Sequence, residues 1–303
     1  MILAGIPSSP ISALSIGPLT IHFYALCILA GIGVAMWWAT KRWVFRGGDG
    51  DDLFDVVFAA VIAGIIGARL WHVISSPEPY FGPDGDLGSV LRIWEGGLAI
   101  WGAVAGGALA VWFMARRKQV SFTVLADTIA PTLMVAQAIG RLGNWFNQEL
   151  YGPPTDLPWG WEITCVTNGA PIPGCEPGTY HPTFLYEMLW NLGGVVLLLF
   201  LARRFSLGGG RIFWAYAAIY SSGRAWIDAM RTEEVFMVGP LRIHTVVALL
   251  TVILAVVMVI LLTRRKAARG GEAVAADGSF TLPDTTPTST DTAPDTSAER
   301  QDT

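Results

Sequence analysis

A cluster of polar side chains follows the fourth long apolar stretch of the chain. Residues 140–152 have the sequence GRLGNWFNQELYG, which places Arg141, Asn144 and Glu149 directly after a segment with the composition of a membrane helix. Polar groups at that depth are costly to bury and are generally retained because they act on a substrate or a transported species. This segment is therefore the first candidate site.

A second polar group opens the fifth apolar stretch. Residues 181–187 have the sequence HPTFLYE, with His181 at the entry and Glu187 one turn inside the expected membrane boundary. A carboxylate in lipid needs a cationic partner, so Glu187 requires an arginine at the same depth. His181 precedes a proline, and it could either move a proton or serve as a loop or cap residue.

The sixth apolar stretch ends in a regular stripe of polar side chains. A helix continuing through them would carry them on one face, because they are spaced i, i+4, i+8 and i+11: Tyr220, Arg224, Asp228 and Arg231. An arginine guanidinium can donate two parallel hydrogen bonds to the oxygens of a phosphate group. Arginines that snorkel to lipid headgroups beside interfacial tyrosines would give a similar pattern without any chemistry.

The apolar stretches predict an all-α integral membrane protein. The chain is 52% apolar and 15% charged, with thirteen tryptophans, which is unlike a soluble domain. Runs long enough to cross about 30 Å of hydrocarbon predict seven transmembrane helices. Their predicted bounds are 19–40, 53–75, 98–115, 122–139, 183–202, 209–226 and 241–263. Small residues predict close helix packing at Gly64 with Ala68 and at Gly102 with Gly106.

Basic residues in the connections predict the orientation of these helices. Lys and Arg concentrate in the first, third and fifth connections and after the last helix, as at residues 41–46, 116–118, 203–211 and 264–269. Because basic residues remain on the cytoplasmic side, the amino terminus is predicted outside and the carboxyl terminus inside. Nearly all the intramembrane polar side chains then fall in the outer third of the membrane.

The remaining segments are predicted to lie outside the helices. Residues 76–97 suit a strip at the outer interface, and residues 141–182 suit a small external cap. Cys165 and Cys175 in the cap could form a disulfide or remain as thiols. Residues 1–266 are therefore expected to form one membrane domain, and residues 267–303, rich in Thr, Pro and Asp, a disordered cytoplasmic tail.

The polar layer favours an enzyme or binding protein for a phospholipid of the external leaflet. Arginines, asparagines and tyrosines at headgroup depth match a phosphodiester, and the cysteines and histidines lack the spacing of a metal site. A transporter or channel is less favoured, because the inner halves of the helices hold little charge beyond Asp55 and Asp127. A receptor that binds lipid without turnover remains open, whereas a GxSxG or HExxH hydrolase motif does not occur.

Three blocks of the chain resemble a known family. GRLGNWFNQELYG is similar to the signature of the prolipoprotein diacylglyceryl transferases, and HPTFLYE and the Arg224, Asp228, Arg231 stripe resemble two further blocks of that family, within about residues 15–265. The resemblance implies transfer of diacylglyceryl from phosphatidylglycerol to the lipobox cysteine of a prolipoprotein signal peptide, with release of glycerol phosphate. It implies the bacterial cytoplasmic (inner) membrane, with no cofactor, metal or nucleic acid.

The resemblance also implies roles for the polar residues. Arg141 and Arg224 would bind the phosphate, and Asn144 and Glu149 would orient headgroup hydroxyls or hold an arginine. Tyr24 and Tyr220 match family positions near the site and could donate hydrogen bonds to the phosphate. The other expected substrate-binding residues are Glu187, Asp228 and Arg231.

The chain departs from the family pattern at two positions. In the segment WEGGLAIWGAVAGG, Trp101 stands where many relatives carry a histidine, so that histidine cannot be the base here. Asp228 stands where many relatives carry glutamate, which shortens the side chain and keeps its charge. His181, Tyr24 or a phosphate oxygen of the substrate could accept the thiol proton, and the sequence does not rank them.

Overall fold

A computed structural model describes residues 5–17, 19–93, 96–232 and 235–268 of the chain. The predicted tail, 267–303, lies outside the described residues except for its first two positions, which belong to the last helix. The helices, strands and contacts are those of these residues.

Helices dominate the structure, and each predicted helix has a counterpart. The α-helices are α1 Phe23–Phe45, α2 Gly50–Ser75, α3 Glu78–Phe81, α4 Ile100–Arg117, α5 Phe122–Asn147, α6 Thr183–Arg204, α7 Arg211–Ala229 and α8 Ile243–Ala268. Five helices, α1, α2, α5, α6 and α8, are long and apolar enough to cross a membrane, so the chain is a multi-pass membrane protein. Helices α4 and α7 are shorter, and both carry arginines.

The strands are short and lie between the helices. They are β1 Ile6–Pro7, β2 Ala13–Ile16, β3 Leu19–His22, β4 Trp161–Ile163, β5 Val166–Thr167, β6 Ala170–Pro171, β7 Gly178–Tyr180, β8 Met237–Val238 and β9 Leu241–Arg242. Strands β1, β4 and β7 form one sheet, and the others pair as β2–β3, β5–β6 and β8–β9 hairpins.

Several helix boundaries differ from the sequence prediction. Residues 241–242, expected to begin the last helix, form β9, so α8 begins at Ile243. Residues 19–22 were expected to begin the first helix, but they form β3, which pairs with β2 through a turn at Gly17 (φ +61°). Helix α5 continues to Asn147, where the sequence predicted the cap from residue 141. Arg141 and Asn144 therefore stand on the last two turns of a helix, which fixes their directions.

Helix α5 organises the part of the fold that carries the candidate site. It packs against α1, α6 and α7. Its buried Asp127 accepts hydrogen bonds from the backbone amides of Gly210 (2.8 Å) and Phe213 (2.9 Å) at the start of α7. The first amides of a helix lack intrahelical partners, so a carboxylate from α5 stabilises the start of α7 and locks the two helices together.

Helices α2 and α4 pack closely because glycines face each other. A Cβ at Gly67 would overlap the Gly102 carbonyl oxygen, and one at Gly102 would overlap the Gly67 carbonyl oxygen. The predicted Gly102 and Gly106 do lie at this crossing. They pack against Gly67 and Ala63 of α2. A Cβ at Gly64 would lie 3.4 Å from the Ala103 carbonyl oxygen, a close contact without overlap.

A buried arginine holds the strip at residues 76–97. The Arg69 guanidinium donates to the carbonyl oxygens of Val90 (2.9 Å), Gly96 (2.6 Å) and Gly97 (2.9 Å). It also lies over the ring of Tyr80, whose hydroxyl is 2.9 Å from His72 Nδ1. One side chain of α2 thus satisfies several carbonyl groups of this strip.

The cap after α5 is tied together by a sheet and a disulfide. Strand β4 pairs with β1 from the amino-terminal segment and with β7. Cys165 and Cys175 are bonded, with a Cα–Cα distance of 5.6 Å, so the pairing that the sequence left open is present. Buried Gln148 follows α5 and accepts hydrogen bonds from the amides of Thr164 (3.0 Å) and Cys165 (3.1 Å), which fastens the cap to the helix.

Candidate active site

Glu187 lies at the centre of a cluster of arginines. It projects from the first turns of α6, and its side chain is buried. Arg141 Nε of α5 lies 2.6 Å from Glu187 Oε2, and Arg224 Nη1 of α7 lies 3.3 Å from Oε1. Arg231, just after α7, also pairs with Oε1. Three segments therefore meet at one carboxylate, whose desolvation these cations offset.

Asp228 provides a second buried carboxylate in the same cluster. Its oxygens lie 3.3 Å from Arg224 Nη2 and 3.3 Å from Arg242 Nε, and Thr245 Oγ1 is 3.4 Å away. Arg242 Nη1 also donates to the Arg231 carbonyl oxygen at 2.8 Å. The β8–β9 hairpin, with Gly239 in its turn (φ +61°), positions Arg242 for these contacts.

The four arginines differ in how much surface they leave open. The Arg231 and Arg242 side chains are 4% and 12% exposed, whereas those of Arg141 and Arg224 are 19% and 23% exposed. Both contacts of Arg224 are long, at 3.3 Å. Arg141 and Arg224 are thus the two guanidiniums with room to donate to a further anion, while the buried carboxylates fix their positions.

The signature on α5 continues the network away from Glu187. Arg141 Nη1 donates to Asn144 Oδ1 (3.3 Å), and Asn144 Nδ2 donates to Glu149 Oε1 (2.9 Å). Asn147 Nδ2 adds a second hydrogen bond to the same oxygen of Glu149 at 3.2 Å. Asn144 lies in α5 and is buried. Its side chain links Arg141 to Glu149 by hydrogen bonds, and the residue does not form a turn.

Two tyrosines flank Arg141. Tyr220 of α7 and Tyr24 of α1 lie close enough to Arg141 to interact with its charge, and Tyr24 also lies close to Glu149. The ring of Tyr24 packs on Gly143, where an added Cβ would lie 3.0 Å from two ring carbons and closer to a third. The absence of a side chain at Gly143 lets Tyr24 approach α5.

His181 belongs to a neighbouring aromatic cluster. Its Nδ1 lies 3.0 Å from the hydroxyl of Tyr186, which also accepts a hydrogen bond from Trp159 Nε1 at 3.1 Å. Tyr186 stacks on Trp226 of α7. Among the described residues the hydrogen-bond partner of the His181 ring is thus a tyrosine, and the structure does not bring His181 into contact with the arginines. Trp101 stands in the first turn of α4, 49% exposed.

Several members of the cluster were not selected from the sequence. Arg242 and Thr245 reach the site only through the β8–β9 hairpin and the start of α8, which no local pattern signals. Gln137, Asn191 and Tyr216 lie four residues from Arg141, Glu187 and Tyr220 along their helices, a spacing that could have identified them.

Comparisons with known proteins agree on one family. A family model described as prolipoprotein diacylglyceryl transferase matches residues 11–261. The phosphatidylglycerol-prolipoprotein diacylglyceryl transferase of Bifidobacterium adolescentis is 51% identical over 245 residues, which cover 77% of this chain and 72% of that protein. The protein of the same name from Cutibacterium acnes is 50% identical over 245 residues (81% and 82% coverage). That of Corynebacterium efficiens is 51% identical over 261 residues (84% and 81% coverage).

Proposed function

The chain belongs to the prolipoprotein diacylglyceryl transferase family, and from this premise we propose how its arginine cluster acts. The protein transfers diacylglyceryl from phosphatidylglycerol to a prolipoprotein, at the thiol of the lipobox cysteine. The observation that carries the proposal is the pair Arg141 and Arg224, both held by the buried Glu187 and both partly exposed. Such a pair suits one phosphodiester anion.

The reaction forms a carbon–sulfur bond, breaks a carbon–oxygen bond and moves one proton from sulfur to the released phosphate. The cysteine sulfur forms a bond to the terminal glycerol carbon of the diacylglyceryl group, and the bond from that carbon to the phosphate oxygen breaks. The electron pair of the broken bond leaves with glycerol phosphate. This released monoester also takes up the thiol proton. A phosphate monoester has a second pKa of about 6, so it can carry a proton that the diester cannot.

Arg141 and Arg224 stabilise the leaving group. Negative charge grows on the phosphate as the carbon–oxygen bond stretches, and donors already in place need no reorganisation to meet it. Tyr220 and Tyr24, which both stand beside Arg141, add hydroxyl donors at the same level. Of the three proton acceptors that the sequence left open, the substrate phosphate and Tyr24 are the two consistent with this arrangement, since His181 contacts Tyr186.

The remaining members of the cluster hold these donors. Glu187 and Asp228 fix Arg224 from two sides, and the deeply buried Arg231 keeps Glu187 in place. The Asn144–Glu149 chain fixes the other edge of Arg141 and presents amide and carboxylate groups to headgroup hydroxyls.

The proposed topology puts this site on the external side of the bacterial cytoplasmic membrane. All seven long helices cross the bilayer, with the amino terminus outside and the carboxyl terminus inside, as the basic connections favour. The ends of α5 and α7 that carry Arg141 and Arg224 then face outward, as does the start of α6. The signal peptide of an exported prolipoprotein presents its cysteine at that surface.

The test is a transfer assay with the purified full chain in detergent or proteoliposomes. Phosphatidylglycerol and a peptide containing a lipobox cysteine are supplied, and the diacylglyceryl thioether peptide and glycerol phosphate are measured by mass spectrometry. The proposal predicts both products in equal amounts. Lipid that binds without being consumed would favour a receptor, and lipid that moves between leaflets unchanged would favour a transporter.

A further inference from the structure

A second polar layer lies one helical turn deeper in the fold than the arginine cluster. Gln137 precedes Arg141 by four residues on α5, Asn191 follows Glu187 by four residues on α6, and Tyr216 precedes Tyr220 by four residues on α7. Residues four apart lie on the same face of a helix. These three residues, Gln137, Asn191 and Tyr216, are here called the polar floor.

The packing of α5 against α6 places Gln137 opposite Asn191. The two helices run antiparallel, and Arg141 meets Glu187 at 2.6 Å. Seven residues deeper on each helix, Met134 packs against Gly194, where a Cβ would overlap its methyl group. Both contacts fit one register of the two helices. Four residues deeper than the Arg141–Glu187 contact, this register places Gln137 level with Asn191. Tyr216 closes the third side, since its hydroxyl is 3.0 Å from Gln137 Nε2.

The polar floor contains two buried acceptors that the described residues leave unmatched. Gln137 Oε1 and Asn191 Oδ1 are both shielded from solvent, and neither has a hydrogen-bond donor in the described part of the chain. Asn191 as a whole is 2% exposed. An unmatched buried acceptor costs about 1–3 kcal/mol, so a pair of them directly below a reaction site suggests that a ligand supplies the donors.

The proposed reaction requires donors at this depth. Displacement at the glycerol carbon proceeds in line, so the sulfur approaches from the side of the carbon opposite the phosphate oxygen. With the phosphate at Arg141 and Arg224, the sulfur lies several ångströms from the arginines, comparable to one helical turn of about 5.4 Å. The lipid esters offer only acceptors there, whereas a cysteine offers its S–H and its backbone N–H.

We propose that Gln137 Oε1 and Asn191 Oδ1 receive the S–H and backbone N–H of the substrate cysteine and so position the thiol for in-line attack. This rests on the proposed function and adds the nucleophile side of the site to the phosphate side. As the carbon–sulfur bond forms and the carbon–oxygen bond breaks, the thiol proton passes through the hydroxyl of Tyr24, which lies beside Arg141, to the released glycerol phosphate. The two amides act as positioning residues that accept no proton.

The test separates binding of the peptide from binding of the lipid. In Asn191→Leu, which keeps the approximate size and removes the acceptor, KM for the lipobox peptide should rise about fivefold, the value of one hydrogen bond, while KM for phosphatidylglycerol stays unchanged. A peptide N-methylated at the cysteine should lose affinity for the wild type but lose less for Asn191→Leu, because the same contact is already absent. Gln137→Met should also raise the peptide KM, but N-methylation should cost this variant as much as the wild type, because it has lost the contact to the S–H and kept the contact to the N–H.

Stability measurements keep the test decisive. Ser222→Ala on α7 is the matched control. Among the described residues its hydroxyl bonds only the Ala218 carbonyl of its own helix, so its loss should leave both KM values unchanged. Asn191→Leu should unfold no more easily than the wild type, because an unmatched buried acceptor has been removed. Unchanged peptide KM with higher stability would mean that the floor holds ordered water only, and a rise in lipid KM alone would assign it to the phospholipid. Either result overturns the inference, whereas a wild-type protein that forms no thioether would overturn the proposed function itself.

Discussion

Replacing Gly143 by alanine should displace Tyr24 from the site. The added Cβ would lie 3.0 Å from two ring carbons of Tyr24 and closer to a third. Ordinary carbon contacts need about 3.5–4.0 Å, so the ring must retreat by about 1 Å. Overpacking of this kind costs about 1–3 kcal/mol, partly offset by about 1 kcal/mol from the better helix propensity of alanine.

Gly140 provides the matched control on the same helix. A Cβ at Gly140 would meet nothing within 4 Å, so Gly140→Ala should gain the helix propensity without the clash. The two alanine variants should therefore differ in unfolding free energy by about 1–3 kcal/mol, the cost of the clash alone. In a Tyr24→Ala background the difference should disappear, because the ring that causes it is gone.

The unfolding free energy in detergent and the transfer rate are measured for both alanine variants. A displacement of 1 Å in a residue that lines the reacting groups can cost about a hundredfold in rate, so Gly143→Ala should lose activity beyond its loss of stability. Gly140→Ala should keep wild-type activity. If Gly143→Ala matched Gly140→Ala in both stability and rate, the proposal that the contact with α5 positions Tyr24 for the reaction would be wrong.

Three further predictions concern the supports of the site. Glu187→Gln should cost about 3–5 kcal/mol of unfolding free energy and abolish transfer, because three guanidiniums lose their carboxylate, whereas Glu162→Gln on the exposed face of β4 should change neither. Gly102→Ala should destabilise the α2–α4 pair by about 1–3 kcal/mol, measured by thermal unfolding against Gly33→Ala, where a Cβ meets nothing within 4 Å. Cys165→Ser should lower the unfolding free energy by about 2–4 kcal/mol under oxidising conditions, and addition of a reductant should remove the difference from the wild type.

The positions of the helices could be predicted because apolar runs of sufficient length leave few alternatives. The ends of the helices could not, because they depend on contacts with distant segments. Helix α5 continues through Gly140 and Gly143 to Asn147, since the cap and Gln148 hold its last turns. Residues 19–22 pair with β2 and become a strand, and that pairing depends on a partner that the apolar count ignores.

The centre of the site could be anticipated, but its periphery could not. The depth of Glu187 required an arginine partner, and the structure supplies Arg141, Arg224 and Arg231. Arg242 could not be anticipated, because a two-residue strand and a glycine turn bring it to Asp228. The role of His181 stays a prediction: its Nδ1 lies 3.0 Å from the Tyr186 hydroxyl, and that contact could not be read from its closeness in sequence to Glu187.

The most direct test of the central claim is the transfer rate of Arg141→Gln and Arg224→Gln, measured beside Arg117→Gln, which changes an exposed arginine at the far end of α4. If the two site arginines stabilise the departing phosphate, each variant should bind phosphatidylglycerol more weakly and lose about 10²–10³-fold in kcat, the usual effect of removing one such donor. The control should transfer at the wild-type rate. Folded Arg141→Gln and Arg224→Gln proteins that form the thioether as fast as the control would contradict the account.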